Sequence, residues 1–150
     1  MSTLAYDSTR PELIPGTAPA VLPYCDGDYA WSRLPLFPKA LYRYITVLGD
    51  PDAAIADVET GDLATPAQWA YERSRKHPGS ALIVYCNRSS VARVQEAMKG
   101  YFWHLFLSTL DSSVPREYGG VPVWAVQYQG GPDADYDKSI VWEPKVLNRP

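Results

Sequence analysis

Two carboxylates close an apolar segment of the chain. In AAIADVETGD, residues 53–62, the apolar run stops at Asp57, and Glu59 follows two positions later. Alternate residues of a strand project from the same face, so Asp57 and Glu59 would point together. Neighbouring carboxyl groups push their pKa values apart, so one can hold a proton while the other stays ionised. Glycoside hydrolysis needs that pairing, although a solvated strand end has the same pattern.

Further acids and aromatics lie beside other predicted strand ends. Asp26 and Asp28 follow the first predicted strand, and Asp137 precedes the last. Their alternative interpretation is turn formation, which Asp-Gly and Asp-Tyr-Asp favour. Sugar rings stack on aromatic faces, so the aromatics could line a saccharide cleft, while core packing is the alternative for each one singly. These aromatics are Tyr29, Trp31, Tyr85, Trp103, Trp124 and Tyr128.

The histidines and cysteines do not have the spacing of a metal site. His77 and His104 lie far apart in the sequence, and Cys25 and Cys86 do not complete a ligand pattern with them. We therefore predict no metal and no cofactor. His77 is interpreted as a helix-end residue and His104 as a packed core residue. The cysteines are interpreted as buried thiols, with a single bridge between them left open.

Composition limits the class of protein. The 150 residues predict one domain, and 46% apolar content is typical of a globular chain. The net charge is −3 without a basic stripe, which disfavours nucleic acid and anionic membrane as partners. No apolar run approaches the length of a membrane span, and the first residues lack a secretory signal pattern. We expect synthesis in a cytosol.

Prolines mark both ends of the chain as extended. Residues 1–19 are predicted to form an N-terminal arm and residues 144–150 a C-terminal tail, leaving a domain over 20–143. Such arms could lie on neighbouring subunits. Strands are predicted from short runs rich in β-forming residues bounded by turn signals. These strands cover 20–25, 40–49, 53–59, 81–86, 101–108, 122–129 and 138–143.

Two helices carry start and stop signals. The first is predicted over 66–77, where Thr65 can cap, Gln68 completes a capping box, and Pro78-Gly79 ends the helix. The second is predicted over 91–99, capped by Ser90 and carrying apolar residues on one face. Alternating strands and helices predict an α/β fold with a largely parallel sheet of about six or seven strands. Only about four residues separate 40–49 from 53–59, so we expect that pair to be an antiparallel hairpin, unless one of the two segments is not a strand.

The order of the motifs resembles that of the glycoside hydrolase family 25 lysozymes, which are N-acetylmuramidases common in bacteria and phages. The resemblance covers about residues 20–143, and no one motif is specific by itself. The motifs are YCDG with Asp26, IADVE with Asp57 and Glu59, LIVYC with Tyr85, WAVQYQ with Gln127 and Tyr128, and DYDKS with Asp137.

The resemblance implies a fold and a set of roles. The fold would be a shortened, irregular TIM-barrel-like (β/α) fold, because such barrels typically need roughly 200 residues or more. The reaction would be retaining cleavage between N-acetylmuramic acid and N-acetylglucosamine. Glu59 would be the general acid/base, Asp57 would orient the acetamido group, and Asp26 would tune this pair. Candidate substrate contacts, including residues at other strand ends, are Asp137, Tyr85, Gln127, Tyr128, Asp28 and Trp31.

Three functional hypotheses follow. The first is a phage-associated, peptidoglycan-directed muramidase that acts on cell-wall glycan chains. The second is a catalytically inactive hydrolase-like domain that serves as a structural or glycan-binding protein of a virion or its tail, held to neighbouring subunits by the Pro-rich termini. The third is a small α/β domain whose acids only form turns. An open cleft in which Asp57, Glu59 and Asp26 converge would favour the first.

Overall fold

The structure is a computed structural model that describes residues 2–31, 37, 39–59, 66–131 and 133–143. Within these ranges the chain forms ten β-strands and two α-helices. The strands are β1 (Thr3–Asp7), β2 (Ala20–Val21), β3 (Leu41–Tyr42), β4 (Ile45–Thr46), β5 (Ile55–Asp57), β6 (Ile83–Asn87), β7 (His104–Ser108), β8 (Glu117–Tyr118), β9 (Val121–Gln129) and β10 (Asp137–Val141). The helices are α1 (Pro66–Lys76) and α2 (Val91–Ala97), and 3-10 turns cover Pro11–Leu13 and Arg88–Ser90.

The strands form one mixed sheet. Its order is β3-β2-β1-β10-β9-β7-β6-β5-β4, and β8 adds to β9 as a short antiparallel ribbon. Neighbours along this path are parallel except at β10, which is antiparallel to both β1 and β9. The predicted α/β class is confirmed. The described part of the chain has nine strands along the path, more than the six or seven predicted, because β1 lies in the predicted arm and the predicted strand 40–49 is divided into β3 and β4.

The sheet curls until its two edges approach each other. Its end strands, β3 and β4, are separated by only two residues in the chain. Tyr24, just past β2, forms a parallel bridge with Ile45 of β4. This bridge keeps the sequence offset of the β2–β3 pair, in which Ala20 faces Leu41. The segment 41–46 therefore contacts β2 on one side and β5 on the other.

The predicted antiparallel hairpin between 40–49 and 53–59 is wrong. β4 and β5 pair in parallel, with Ile45 facing Ile55. A parallel connection must return along the length of the strand, and β4 is only two residues long. The eight residues 47–54 therefore suffice for a return that an ordinary strand would not allow.

The N-terminal residues, expected to form an arm outside the domain, contribute a central strand. β1 lies between β2 and β10, and Ala5 in its middle is completely buried. The prolines of this region fall in the following turn and loop, where they do not interrupt the pairing of β1. The predicted tail 144–150 and the predicted cap Thr65 lie outside the described residues.

Alternation along the strands separates two apolar layers. On β6, Ile83 and Tyr85 face the inside of the curled sheet, whereas Val84 and Cys86 face the helices. The inner layer includes Ile55, Phe106 and Trp124, among the buried side chains of the core. The outer layer receives α1 through Trp69 and Ala70 and α2 through Val91, Val94 and Met98. Residues at the carboxyl ends of the strands thus sit directly above a dry interior.

Buried Arg73 fastens α1 to the return loop before β5. Its side chain is 2% exposed and donates to the carbonyls of Ala81, Pro51 and Asp52 at 3.0, 3.0 and 3.1 Å. Trp69 of the same helix donates its indole N–H to the carbonyl of Ala53 at 3.2 Å. These bonds satisfy carbonyls that would otherwise be buried without partners. They fix where β5 begins, and hence where Asp57 ends it.

None of the described helices is long and apolar enough to cross a membrane.

Candidate active site

Polar side chains collect where the inner face of the sheet meets its carboxyl edge. Asp7 follows buried Ala5 by two positions on β1, and Asp57 follows buried Ile55 by two positions on β5. Alternation therefore turns both carboxylates toward the inside. Because β10 runs the opposite way, its first residue, Asp137, reaches the same edge. The carboxyl ends of parallel strands are where α/β sheets place ligands.

These side chains border one pocket with a volume of about 610 Å³. It combines acids, tyrosines and a small number of other polar groups. Its lining residues are Asp7, Ser8, Thr9, Arg10, Tyr24, Tyr29, Asp57, Glu59, Tyr85, Leu110, Gln127, Gly131, Ala134, Tyr136 and Asp137. A cavity of this size lies within the range of about 300–1,000 Å³ that is typical of small-molecule sites.

Asp57 is held in a fixed orientation at the floor of the pocket. It is 2% exposed, and its Oδ2 accepts a hydrogen bond from the Tyr24 hydroxyl at 3.1 Å. Its Oδ1 accepts the backbone N–H of Glu59 at 2.8 Å. Both bonds are donated to the carboxyl oxygens, as an ionised carboxylate requires. The second bond also fixes the turn that presents Glu59.

Glu59 occupies the solvent-facing side of the same pocket. Partial burial raises the pKa of its carboxyl, and the charge of Asp57 raises it further. Hydrogen bonds from Tyr85 and Asn87 act in the opposite direction without cancelling the rise. The Asn87 side chain is oriented for this bond because its side-chain oxygen, Oδ1, already accepts the backbone N–H of Ser90 at 3.1 Å. Glu59 and Asp57 are thus neighbouring carboxyls in different environments.

Asp7 and Asp137 form a second carboxyl pair across the β1–β10 ladder. They are register partners, and their side chains are hydrogen-bonded to each other. Burial raises the pKa of Asp7 well above its usual range, and the charge of Asp137 raises it further. Burial also raises the pKa of Asp137, whose Oδ1 accepts the backbone N–H of Gly131 at 2.9 Å. The pair therefore shares a proton.

Two tyrosines connect the acids and remain neutral. Burial, followed by the charge of Asp7, raises the pKa of Tyr24. Burial, followed by the charge of Glu59, raises the pKa of Tyr85, although Ser108 donates a hydrogen bond to it. Both hydroxyls therefore keep their protons and serve as hydrogen-bond donors to carboxylates.

The structure brings together five of the predicted site residues. Three are acids, Asp57, Glu59 and Asp137, and the others are Tyr85 and Gln127, whose amide donates to Asp137. The sequence interpretation missed Asp7, together with Tyr24. The available signal was LAYD, an alternating segment that ends in an acid as IAD does. It was assigned to an arm because prolines follow it closely.

Asp26, predicted to be catalytic, lies outside the pocket. Its carboxylate accepts the Thr46 hydroxyl and the backbone N–H groups of Val47, at 2.7 Å, and Leu48, at 3.3 Å. These contacts organise the turn that follows β4. Asp26 lies outside the pocket because the strand pairing ends at the bridge formed by Tyr24, two residues before Asp26. Alternation along the sheet therefore no longer directs its side chain inward. Asp7 lines the pocket, whereas Asp26 does not.

Three predicted substrate contacts also lie elsewhere. Asp28 is exposed and does not border the pocket. Trp31 packs beside a separate apolar cluster around Val21 and donates its indole N–H to the Ser8 carbonyl at 2.7 Å. Tyr128 points to the helix side of the sheet, because it follows Gln127 and alternation places the two on opposite faces.

The remaining chemical groups are not part of the pocket. Trp103 and Trp124 border a different cavity at the amino ends of β7 and β9. His104 begins β7 instead of lying in its middle, and is half-buried against Phe102. Both cysteines are unpaired. Within the described ranges, no cluster of three or more histidine, cysteine or acidic side chains is placed to hold a metal ion.

Asp26→Ala is expected to lower stability without damaging the pocket. The substitution leaves the Thr46 hydroxyl and the N–H of Val47 without their acceptor, which costs about 1–3 kcal/mol of unfolding free energy. Denaturant unfolding measures this loss, and activity per folded molecule should be unchanged. Loss of activity in a correctly folded Asp26→Ala protein would show that Asp26 does belong to the site.

Asp7→Asn is expected to raise stability at neutral pH. A buried acid with a raised pKa binds its proton more tightly in the folded state, so its contribution to stability falls as pH rises from the unfolded value, near 3.8, through the folded value. At neutral pH, each pH unit by which the folded pKa exceeds the unfolded pKa lowers the free energy of unfolding by about 1.4 kcal/mol, and a neutral amide avoids this loss. Unfolding at pH 4 and pH 7 should show a gain that is larger at pH 7. An equal change at both pH values would contradict the shared-proton assignment.

Comparisons of the chain with protein-family models, with curated proteins and with solved structures found no match. The functional assignment therefore depends on the pocket and on the order of motifs in the sequence.

Proposed function

We propose that the chain is a peptidoglycan-directed glycoside hydrolase that cleaves the muramic acid glycosidic bond with retention of configuration. One observation carries the proposal. Four carboxyl groups from three segments distant in sequence, Asp7, then Asp57 and Glu59, and then Asp137, border a single open pocket. Three of the four belong to the motifs whose order resembles that of family 25 lysozymes, and Asp7 adds a fourth.

The sheet supports a shortened barrel as the scaffold. The segment 41–46 contacts both β2 and β5, so that β2, β1, β10, β9, β7, β6, β5 and this segment follow one another around a ring. A TIM-like barrel also has eight positions, but all its strands are parallel, whereas β10 is antiparallel to both of its neighbours here. Short strands and the brief return loop 47–54 account for the reduced length of the chain.

Glu59 fits the role of general acid. Burial and the charge of Asp57 raise its pKa, so it retains a proton at a pH where an ordinary glutamate has lost it. As the bond between the sugar and the leaving oxygen breaks, Glu59 gives its proton to that oxygen. In the second step the attacking water gives a proton back to Glu59, which restores the site.

Asp57 fits the role of orienting the nucleophile. Its two hydrogen bonds hold it at the pocket floor, where its carboxylate can accept the N–H of the substrate's acetamido group. The acetamido carbonyl oxygen then forms a bond to the anomeric carbon as the glycosidic bond breaks. Water displaces that oxygen from the same carbon in the second step. Two displacements give net retention.

The Asp7–Asp137 pair limits the total charge of the pocket. Sharing a proton leaves one negative charge where two would repel each other and the ionised Asp57. The pair's remaining oxygens are hydrogen-bond acceptors for sugar hydroxyls. Gln127 and Gly131 hold Asp137 in place for that contact.

The pH profile should report Glu59. We expect the alkaline limb of kcat/KM to lie above the usual glutamate pKa, since deprotonated Glu59 cannot donate. Tyr85→Phe removes a hydrogen bond that stabilises the ionised carboxylate, so the limb should move to higher pH. Initial rates from pH 3 to pH 9 measure this shift, and a limb that moved to lower pH would contradict the assignment.

A wall-clearing assay tests the proposal. Purified protein is added to suspensions of actinobacterial and other cell walls, and turbidity is followed together with the release of new reducing ends. Clearing with new reducing ends at muramic acid supports the proposal. Sedimentation with the walls without new reducing ends would replace it with an inactive, glycan-binding module. Neither clearing nor sedimentation would reject both.

A further inference from the structure

Leu110 holds an unusual backbone conformation at the edge of the pocket. Its φ is 51°, in the left-handed region, and Ser112 two residues later has a φ of 65°. In the described part of the chain these are the two non-glycine residues with positive φ. A leucine there is strained, because its Cβ crowds the backbone, whereas glycine or asparagine adopts this conformation readily.

The loop after β7 enforces this conformation. The backbone N–H groups of Thr109 and Leu110 both donate to the Gln127 carbonyl, at 2.9 and 3.3 Å, and Ser112 donates to the Tyr128 carbonyl at 3.1 Å. Arg88 binds the Asp111 carboxylate at 2.6 Å. None of these bonds uses the Leu110 side chain. The backbone is therefore fixed by its neighbours, and the leucine is presented by the loop without helping to build it.

The Leu110 side chain lines the acid pocket and is 48% exposed. Among the described residues, the three apolar clusters do not include it. The other large exposed group on this pocket is Tyr29, at 46%, whose ring packs near Tyr24 with centroids 5.8 Å apart. A strained backbone that presents a half-exposed apolar side chain to an open pocket indicates a contact with ligand.

We infer that Leu110 is a specificity-determining residue that favours a sugar carrying an N-acetyl group over one carrying a hydroxyl at the same position. The inference rests on the proposed glycosidase function. The branched side chain of Leu110 offers a surface for an acetyl methyl group but no partner for a hydroxyl. A hydroxyl placed against it would lose its water without a replacement hydrogen bond. The acids across the pocket still accept the hydroxyls that both sugars share.

Two neutral tetrasaccharides of equal length test the inference. Chitotetraose carries N-acetyl groups and cellotetraose carries hydroxyls at the same positions, and calorimetry measures both in the Glu59→Gln background, which prevents turnover. We expect tighter binding of chitotetraose. Leu110→Gly should weaken chitotetraose binding by about five- to tenfold, change cellotetraose binding little, and leave the melting temperature equal or higher because the strain is relieved.

Ser112→Gly is the matched control, since it relieves the same type of backbone strain outside the pocket lining. It should leave the ratio of the two affinities unchanged. Leu110→Asn, which tolerates positive φ and keeps a side chain, should reduce the ratio as Leu110→Gly does. An unchanged ratio in both Leu110 variants, a lowered melting temperature in both, or no binding of either sugar by the parent would overturn the inference. If the preference holds but walls are not hydrolysed, the proposed function fails and the inference stands as a binding preference.

Discussion

Replacing Glu59 with glutamine is expected to reduce the release of reducing ends from cell walls by about 10²–10⁴-fold. Glutamine keeps the size of the side chain and its hydrogen bonding to Tyr85 but has no proton to give to the leaving oxygen. Glu59 faces solvent on one side and its backbone N–H bond to Asp57 is retained, so the fold should not change. Circular dichroism and thermal unfolding check the fold, and the reducing-end assay checks the rate.

Glu117→Gln provides the matched control. Glu117 lies on β8, is exposed, and is absent from the pocket lining, so the same chemical change there should leave the rate within about twofold. Equal rates for the parent and folded Glu59→Gln would show that Glu59 is not the acid. Loss of rate in both variants would point to a general effect of charge on wall binding.

Gly130→Ala is expected to reduce the reaction rate, because the added methyl group would displace Asp137 in the pocket. The residue has a φ of 146°, and a Cβ built on it would lie 1.7 Å from Asp137 Oδ1. Either Asp137 or the loop must move, and a displacement of about 1 Å at a reacting centre can cost about 10²-fold in rate. The strained backbone adds a stability cost of about 1–3 kcal/mol. Steady-state rates and denaturant unfolding measure the two effects separately.

The adjacent glycine separates strain from displacement. Gly131 also has positive φ, 116°, but a Cβ there meets nothing within 4 Å, and its N–H to Asp137 survives substitution. Gly131→Ala should therefore lose stability like Gly130→Ala while keeping most of its activity. Similar activities for the two variants would mean that the position of Asp137 does not control the reaction.

Local sequence patterns predicted the strands β5, β6, β7 and β9 well, because each of them pairs with a neighbour that is close in sequence. The predicted strand 81–86 corresponds to β6, in which Tyr85 lies on the inner face. Alternation along the IADVE segment placed Asp57 and Glu59 on one side. Local periodicity located these strands but did not give the direction of β4, which pairs in parallel with β5 although the two are close in sequence.

Long-range pairing accounts for what the sequence did not reveal. β1 looks like an isolated alternating segment, and only its pairing with β10 near the other end of the chain makes it a strand and makes Asp7 a partner of Asp137. Asp26 was assigned to the site because it follows an apolar run. Whether it points inward depends on where the ladder ends, at Tyr24, and no local pattern encodes that point. The direction of the 40–49 segment was predicted wrongly, because the loop length that a parallel connection needs was judged for strands of ordinary length.

The central position of β1 has a consequence for how the protein acquires its site. Thr3 pairs with Val141 and Asp7 with Asp137, so both flanks of the sheet must join through contacts between the two most distant parts of the described chain. Contacts of such large sequence separation form late and slow folding, because the intervening chain must first lose much of its freedom. Strands β5, β6 and β7 can therefore pair while the chain is still bound to the ribosome. The Asp7–Asp137 pair can form only after β10 has been synthesised. The pocket is then the last part of the fold to form, and refolding followed by tyrosine fluorescence should be slower than helix formation followed by circular dichroism.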